Sequence, residues 1–414
     1  MFKIPRLRAS MLATVLAIPL AGIALLTLPT PATAQAESGG WRKEIADKVQ
    51  AARDAGTKGN FSEAIRLLKE AKAKGPLSPN EEHGVNETLL WVASSAKDHK
   101  LVLQTVDERL ATGRVTGADL VRKLRLKATT HYTLRDYRAA AAAFASLAAQ
   151  GPLNTDDLTV LGTCQIQVRD FRAAATTLEK AVAATAKAGK ASKTGPLLEM
   201  LNTAYFETKN DAKRVQTLHR LMAVAPKVSV FKQLVSAYEL ESDKDPVVMI
   251  NLYRLGATRG LLSADHYAKY AEAALDLSSP GEAVTMLEKG MASGAIKTDD
   301  RNNRLLADAK TQVERVRATL TQQEAEAKAI ATGEPEAKLA TAYFTLKNYG
   351  KASEAAKRGV AKGRVRRPDD LHMMLGIALV EAKRAPEAKN AFKAAGAANE
   401  KMRGVADLWS TLST

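Results

Sequence analysis

Few side chains in this sequence have the type and spacing that catalysis or metal binding requires. The six histidines are not paired at metal-binding helical spacing, and the single cysteine, Cys164, cannot complete a zinc site. Gly189-Lys190 resembles the end of a phosphate-binding loop, but Ala191 stands where a serine or threonine is needed. The Gly-x-Ser-x-Gly nucleophile motif is absent from the sequence. The sequence therefore predicts a protein that is not an enzyme, with no cofactor and no metal.

Three acidic pairs, Asp156-Asp157, Asp299-Asp300 and Asp369-Asp370, lie at the start of predicted helices. Negative charge is favourable there because it interacts with the positive end of the helix dipole. This structural role explains the pairs better than acid–base catalysis does.

The chain is basic, with 61 Lys and Arg against 45 Asp and Glu and a formal net charge of +16. Three of the positive charges lie in the first eight residues, which leaves +13 for the remainder. Basic clusters occur at Arg122-Lys123-Arg125-Lys127, at residues 187–193 and at residues 364–367. They indicate either a solvated surface or an anionic partner. Nucleic acid is disfavoured because no aromatic residues are interleaved with these clusters.

The first 36 residues have the pattern of a secretory signal peptide. Lys3, Arg6 and Arg8 precede the apolar run of residues 11–28, and small-x-small sites predict cleavage before Gln35 or before Glu37. The alternative is an uncleaved anchor, because eighteen apolar residues can barely span a bilayer. Export combined with a single cysteine predicts a periplasmic protein of a Gram-negative bacterium.

One spacing recurs along the rest of the chain and indicates its architecture. A small residue is followed after twelve positions by an alanine, after four more by a bulky apolar residue, and after three more usually by a small one. The clearest examples are Gly162, Ala174, Leu178, Ala181 and Gly376, Ala388, Phe392, Ala395. The turn residues Tyr137 and Phe171 are 34 residues apart. This period is typical of stacked helical hairpins, in which small residues let two helices approach.

The hairpin pattern predicts an all-α protein and a division of the chain. We expect a signal peptide at 1–36, N-terminal helical repeats at 37–297, one long connecting helix at 298–332, C-terminal repeats at 333–400 and a capping helix at 401–414. The long helix is predicted where the period fails, with an apolar stripe that includes Leu306, Val313 and Leu320.

These residues resemble the tetratricopeptide repeat family. Leu161-Gly162 with Phe171, Ala174 and Leu178 fits the family pattern well, whereas Leu103 and Arg214 depart from it. The resemblance implies a right-handed α-solenoid that binds protein segments in a groove lined by the first helix of each hairpin. The C-terminal third, including residues 342–349, 371–378 and 406–409, is similar to secreted proteobacterial repeat proteins, some of which carry a TonB-system label.

The resemblance also implies which side chains line the groove: Arg122, Arg125, Thr129 and Tyr132 in the third hairpin, Thr163, Ile166 and Gln167 in the fourth, Phe206 in the fifth, and Phe344, Met373 and Ile377 in the C-terminal hairpins. The last three are equally consistent with packing between repeats. Arg122, Arg125 and Tyr132 are predicted to form one stripe, because their spacings of three and seven residues place them on one helix face.

The function predicted from these features is a periplasmic, non-enzymatic scaffold that binds segments of partner proteins, in a TonB-type or other envelope complex. The alternative is a protein that binds an anionic envelope ligand, namely lipopolysaccharide, anionic lipid or glycan. Strong salt sensitivity without saturable peptide binding distinguishes the alternative from the scaffold.

Overall fold

The computed structural model describes residues 40–240 and 245–412. Throughout these residues the chain forms helices and turns and no strand, which confirms the all-α prediction. The predicted signal peptide and its cleavage sites lie outside the described residues. Within the described part of the chain, no helix combines the length and the apolar character needed to cross a membrane.

The chain divides into two compact units, one ending at Pro152 and the other beginning at Leu153. The first contains three hairpins with the following helices: α1 Lys43–Thr57, α2 Phe61–Lys72, α3 Pro79–Ser95, α4 His99–Ala111, α5 Gly117–Thr133 and α6 Tyr137–Ala148. Its core is built mainly from Ile, Leu, Val and Ala side chains of α1 to α4.

The second unit contains six hairpins, one long helix and a terminal helix. Its helices are α7 Thr155–Gln167, α8 Phe171–Lys187, α9 Gly195–Glu207, α10 Asp211–Val224, α11 Val228–Glu239, α12 Pro246–Thr258, α13 Ala264–Asp276, α14 Pro280–Ala292, α15 Asp300–Ala329, α16 Glu334–Thr345, α17 Tyr349–Lys362, α18 Pro368–Glu381, α19 Ala385–Ala398 and α20 Glu400–Leu412. The 30-residue α15 is the predicted interrupting helix.

The recurring small residues are the contact points between the two helices of a hairpin. A Cβ atom on Gly162 would lie 2.7 Å from Leu178, and one on Gly376 would overlap the ring of Phe392. In both cases the bulky residue is sixteen positions after the glycine, as the sequence spacing predicts. Close approach of the paired helices therefore depends on the missing side chain at these positions.

Several of the turns within the hairpins share one construction. The second residue after the first helix adopts positive φ, as Arg135 and Arg169 do at 60° and 62°. The residue that follows caps the second helix. The carboxylates of Asp136 and Asp170 accept hydrogen bonds from backbone N–H groups in the first turn of that helix, at 3.1 and 3.2 Å. The cap satisfies donors that have no partner within the helix.

In the second unit, α12 is buried on all sides. Ten consecutive residues of this helix, numbered 247–256, are buried. A helix with this pattern must be covered by neighbours around its whole circumference. Besides α11 and α13, α18 and α20 lie against it: Asn251 donates to the carboxylate of Asp370 at 3.1 Å, and Trp409 donates to the Asn251 carbonyl at 2.9 Å.

The terminal helix α20 therefore does more than cover the last hairpin, which was its predicted role. Trp409 is fully buried and stacks on Phe392 of α19, with ring centroids 5.6 Å apart. Gly404 of α20 lies against the ring of His219 on α10. Residues 333–412 share one core with α7 to α14, and the predicted division of the chain at residues 297 and 333 stays a prediction.

A direct test of the small-residue contacts is the variant Gly376→Ala. The added methyl group overlaps Phe392, so we expect the free energy of unfolding to fall by about 1–3 kcal/mol. The matched control is Gly350→Ala on α17, whose Cβ meets only a distant side-chain oxygen 3.9 Å away. That change should be neutral or stabilising by up to about 1 kcal/mol. Equal effects in urea unfolding would contradict the packing assignment.

The contact between α20 and α10 should make stability depend on pH. Burial lowers the pKa of His219 from 6.5 to about 4, so the folded state disfavours the protonated ring. The stabilising contribution is therefore complete above the unfolded pKa and is lost as the pH falls towards 4, by about 3 kcal/mol in total.

Urea unfolding followed at pH 7 and at pH 4.5 measures this dependence. His219→Gln retains a polar partner for the Tyr238 hydroxyl, which lies 2.9 Å from His219 Nε2, and removes the titrating group. The variant should lose less stability than the wild type between the two pH values. The same loss in both proteins would show that other groups control the acid response.

Candidate protein-binding surfaces

The predicted basic stripe on α5 is largely neutralised by acidic neighbours. Arg122 pairs with Asp119 at 2.5 Å and with Glu87 of α3 at 3.4 Å. The buried ammonium group of Lys123 contacts the same two carboxylates, at 3.2 Å for Asp119. Lys127 pairs with Asp107 at 2.6 Å. These charges hold α3, α4 and α5 together, so the cluster presents less positive charge to a partner than the sequence indicates.

The other predicted residues of α5 are half-buried. The Thr129 hydroxyl donates to the Arg125 carbonyl at 3.0 Å, which ties it to its own helix. Tyr132 packs against Tyr137 across the hairpin turn, with ring centroids 5.9 Å apart. The structure thus places Arg122, Arg125, Thr129 and Tyr132 along one helix, with Arg122 the most exposed of the four.

His83, Glu87 and Asp119 are close enough to hold a metal ion, since their ligand atoms lie within 4.8 Å of one another. Sequence reasoning missed this group because Asp119 belongs to the next hairpin. However, the Lys123 ammonium already occupies the position between the two carboxylates. A metal ion would have to displace a buried lysine that is paired with two carboxylates. We therefore assign these residues a role in stabilising the fold.

In the second unit, the first helices α7, α9 and α11 are linked by polar contacts across their shared face. The Thr163 hydroxyl lies 3.6 Å from the Met200 sulfur, and Asn202 donates to the Gln233 side chain at 2.9 Å. Ile166 is half-buried against the core, whereas Gln167 is exposed. The face therefore combines hydroxyl, amide and thioether groups.

Phe206 is the large apolar side chain of this face that is most open to solvent, with 57% of its surface exposed. Its ring lies over the guanidinium of Arg214 from α10, 4.9 Å from centroid to Cζ. Arg214 is only 7% exposed, and burial lowers its pKa. Within the described residues it forms no ion pair, and its Nε has no hydrogen-bond partner. Asp211 is near enough to raise the Arg214 pKa but forms no ion pair with it, so the site joins an exposed aromatic ring to a cation that lacks a contacting carboxylate among the described residues.

The three C-terminal residues predicted to line the groove are corrected by the structure. Phe344, Met373 and Ile377 are all buried in the core of the second unit. Phe344 covers the Arg254 guanidinium, with Cζ 5.0 Å from the ring centroid, and stacks edge-on against Tyr349. The packing alternative accounts for their burial, although Phe344 and Ile377 also line a cavity beside Arg254.

A buried charged cluster lies next to these residues. Arg254 donates to both carboxylate oxygens of Glu282, at 2.7 Å for the shortest contact, and Tyr270 donates to Glu282 at 2.6 Å. Burial alone would raise the pKa of Glu282, but Arg254 holds it below its usual range. Burial raises the pKa of Asp370 despite the nearby guanidinium. A cavity of about 230 Å³ adjoins the cluster. Because each charge has a partner, the cluster can stabilise the fold without a ligand.

A second cavity, of about 440 Å³, lies between α15, α16 and α17. Five of its seven charged side chains form ion pairs: Glu336 pairs with Arg358 at 3.0 Å and with Lys362 at 3.1 Å, and Lys351 pairs with Glu324 at 3.6 Å. Cys164 is buried elsewhere, and burial raises the pKa of its thiol to about 12. Such a thiol is not ionised at neutral pH, which agrees with a packing role.

Comparison with known proteins adds information about the fold alone. No family model matches the chain, and no curated protein matches it. Among solved structures, it is similar to a tetratricopeptide repeat protein from Parabacteroides merdae, at 14% identity and a TM-score of 0.35, over 65% of this chain and 100% of that one.

It is also similar to the TPR2AB domain of yeast Sti1 in a complex with pHSP90, at 11% identity and a TM-score of 0.24, over 72% of this chain and 100% of that one. Yeast Tom70 is similar at 11% identity and a TM-score of 0.24, over 90% and 96% of the two chains. Because these similarities are distant, the argument about function rests on the geometry of this chain.

Sequence reasoning found Phe206 but missed its partner. Arg214 stands where other hairpins have an alanine, as Ala174 does in the fourth, and in the sequence it is only a departure from the repeat pattern. When a charged residue occupies a position that is buried in the other hairpins, its charge must be paired or its side chain must be shielded by a neighbouring group. That rule would have pointed to this site.

The structural role of the α5 cluster predicts unequal effects of two neighbouring substitutions. Lys123→Met removes a buried ammonium and leaves Glu87 and Asp119 facing each other, so we expect a loss of about 2–4 kcal/mol in the free energy of unfolding. Arg122→Met removes a half-exposed partner and should cost less than about 1 kcal/mol. Urea unfolding at neutral pH measures both. Similar losses in the two variants would argue against the assignment.

Proposed function

We propose that this protein is a non-enzymatic scaffold that binds a segment of a partner protein on the first-helix face of α7, α9 and α11. The observation that carries the proposal is Phe206 lying exposed over the buried, unpaired guanidinium of Arg214. An exposed aromatic ring offers a partner a large apolar contact at low entropic cost. Interface hot spots are enriched in aromatic residues and arginine.

The chemistry of this face favours a partner segment with an apolar side chain next to an acidic one. The apolar side chain would contact Phe206, while a carboxylate approaching Arg214 would supply its missing counter-ion. Such a charge pair gains strength because the site is partly shielded from water. Met200, which lies beside Thr163, adds a flexible contact that can adapt to different side chains.

The cellular setting is a separate part of the proposal. A periplasmic location is supported by the basic start, the apolar run and the small-residue cleavage sites of the first 36 residues. A role in a TonB-type or other envelope complex is supported by the sequence resemblance of the C-terminal third. The basic remainder of the chain is compatible with an acidic partner segment.

The proposal is tested with a photoreactive amino acid placed at the exposed Thr203, one helical turn from Phe206. Irradiation in periplasmic extract, followed by mass spectrometry, should identify a crosslinked protein and the segment that lies at the site. A synthetic peptide with that sequence is then titrated against purified protein by fluorescence anisotropy. Phe206→Ala should weaken its binding by about tenfold or more.

The matched control is Leu134→Ala, which removes another exposed apolar side chain, 48% exposed, at the end of a first helix in the other unit. Peptide affinity should be unchanged in this control. If Phe206→Ala binds the peptide as tightly as the wild type, the α9 face is not the binding surface.

A further inference from the structure

The turns within the hairpins repeatedly contain a basic residue in a backbone conformation that is unfavourable for it. Six of the residues with positive φ that follow a first helix are basic: Lys97, Arg135, Arg169, Lys209, Lys347 and Lys383, with φ between 54° and 62°. Side chains with a Cβ rarely adopt this left-handed conformation, which glycine adopts freely. The first hairpin uses Gly59 at this place, with φ of 79°, so the turn itself accepts glycine.

The helix dipole does not explain this choice by itself. A cation is favourable near a helix C-terminus, but it is equally favourable within the last helical turn, where the backbone is unstrained. Yet the last turns of α3, α7, α9, α16 and α18 contain no basic residue. The cations lie instead in the turn itself, where their side chains are exposed.

These cations also lack the partners that neutralise the α5 cluster. All six residues are exposed. Across residues 40–240 and 245–412, Arg169 is the one member of the set that forms an ion pair, with Glu207 at 3.8 Å. The neighbouring carboxylates of Asp98, Asp136 and Asp170 are turned towards helix N-termini, where they accept backbone hydrogen bonds. The charge at the turns is therefore available to an external anion.

Successive turns lie next to each other within a unit. The ion pair from Arg169 reaches the end of α9, immediately before the Lys209 turn. Gly281, the second residue of α14, donates its backbone N–H to the Thr345 hydroxyl at 3.3 Å, just before the Lys347 turn. The turn that precedes α14 has the neutral Ser278 at the positive-φ position. Packed helices are separated by roughly 8–10 Å, so cations of adjacent turns, such as Arg169 and Lys209, are expected at spacings on the order of 10 Å.

We propose that the turn edge of each unit binds a linear anionic polysaccharide that carries carboxylate, sulfate or phosphate groups. Stacked hairpins rotate relative to one another, so a row of turns twists along the array. A flexible polyanion can follow such a row, whereas a flat membrane would meet only a few of its cations. This activity is independent of the Phe206 surface and uses different side chains.

The test compares two variants that remove equal charge. The edge variant replaces the six basic turn residues with glycine, which suits their backbone conformation. The control variant replaces six exposed lysines away from the turns with glutamine: Lys43, Lys69, Lys180, Lys338, Lys389 and Lys393. Binding to heparin and to polygalacturonate is measured by calorimetry over a range of salt concentrations.

We expect the edge variant to bind both polyanions about tenfold or more weakly than the wild type at about 0.1 M salt, with a flatter dependence of log affinity on log salt. The control variant should lose less than about threefold. The melting temperature of the edge variant should be unchanged or higher, because glycine relieves the turn conformation. Phe206→Ala should leave polyanion binding intact, which separates this proposal from the protein-binding surface.

Three outcomes would overturn the proposal. Equal losses in the two variants would show a response to net charge alone. Absence of wild-type binding to both polyanions would remove the activity. Binding to phosphatidylglycerol vesicles without binding to either soluble chain would assign the turn edge to a membrane surface instead.

Discussion

The second unit depends on how one buried guanidinium is satisfied. Arg254 lies in the second half of α12, where helices surround it and leave only 5% of its surface exposed. Removing such a charge from water is costly unless partners surround it with good geometry. Glu282 of α14 supplies a bidentate contact, Phe344 of α16 covers the flat face, and Asp370 of α18 lies 3.8 Å away. Burying this one side chain therefore requires three helices from distant parts of the chain to meet at α12.

That requirement explains why the C-terminal repeats do not continue as an open array. Once α16 and α18 are drawn to α12, the terminal helix α20 can insert Trp409 against the Asn251 carbonyl. A second polar group reinforces the arrangement at the start of α12, where Arg367 bridges Asp245 and Asp369 at 2.8 and 2.6 Å. The apolar residues that would have faced a groove, including Met373 and Ile377, become core. Binding capacity is consequently left to first helices such as α9, which present Phe206.

The parts of the fold that were predictable are those set by contacts close in sequence. The sixteen-residue spacing from Gly162 to Leu178 fixes a hairpin because both residues belong to two adjacent helices. The contacts that close the second unit join residues more than a hundred positions apart, as in Asn251 to Asp370. No local spacing encodes them. Phe206 could be proposed from the repeat pattern, but the position of its ring over the Arg214 guanidinium is visible only in the packed structure.

The basic residues show why formal charge is a poor guide to a binding surface. The densest basic cluster in the sequence lies on α5, where its charge is neutralised by Glu87 and Asp119 and holds α3 and α5 together. Isolated residues such as Lys97 and Lys383 do not stand out in the sequence, yet they remain without a counter-ion and project from turn tips. The attraction that a partner experiences depends on charge that the fold has not already neutralised. Among the described residues, the cations at the hairpin turns and the guanidinium beneath Phe206 carry charge of this kind.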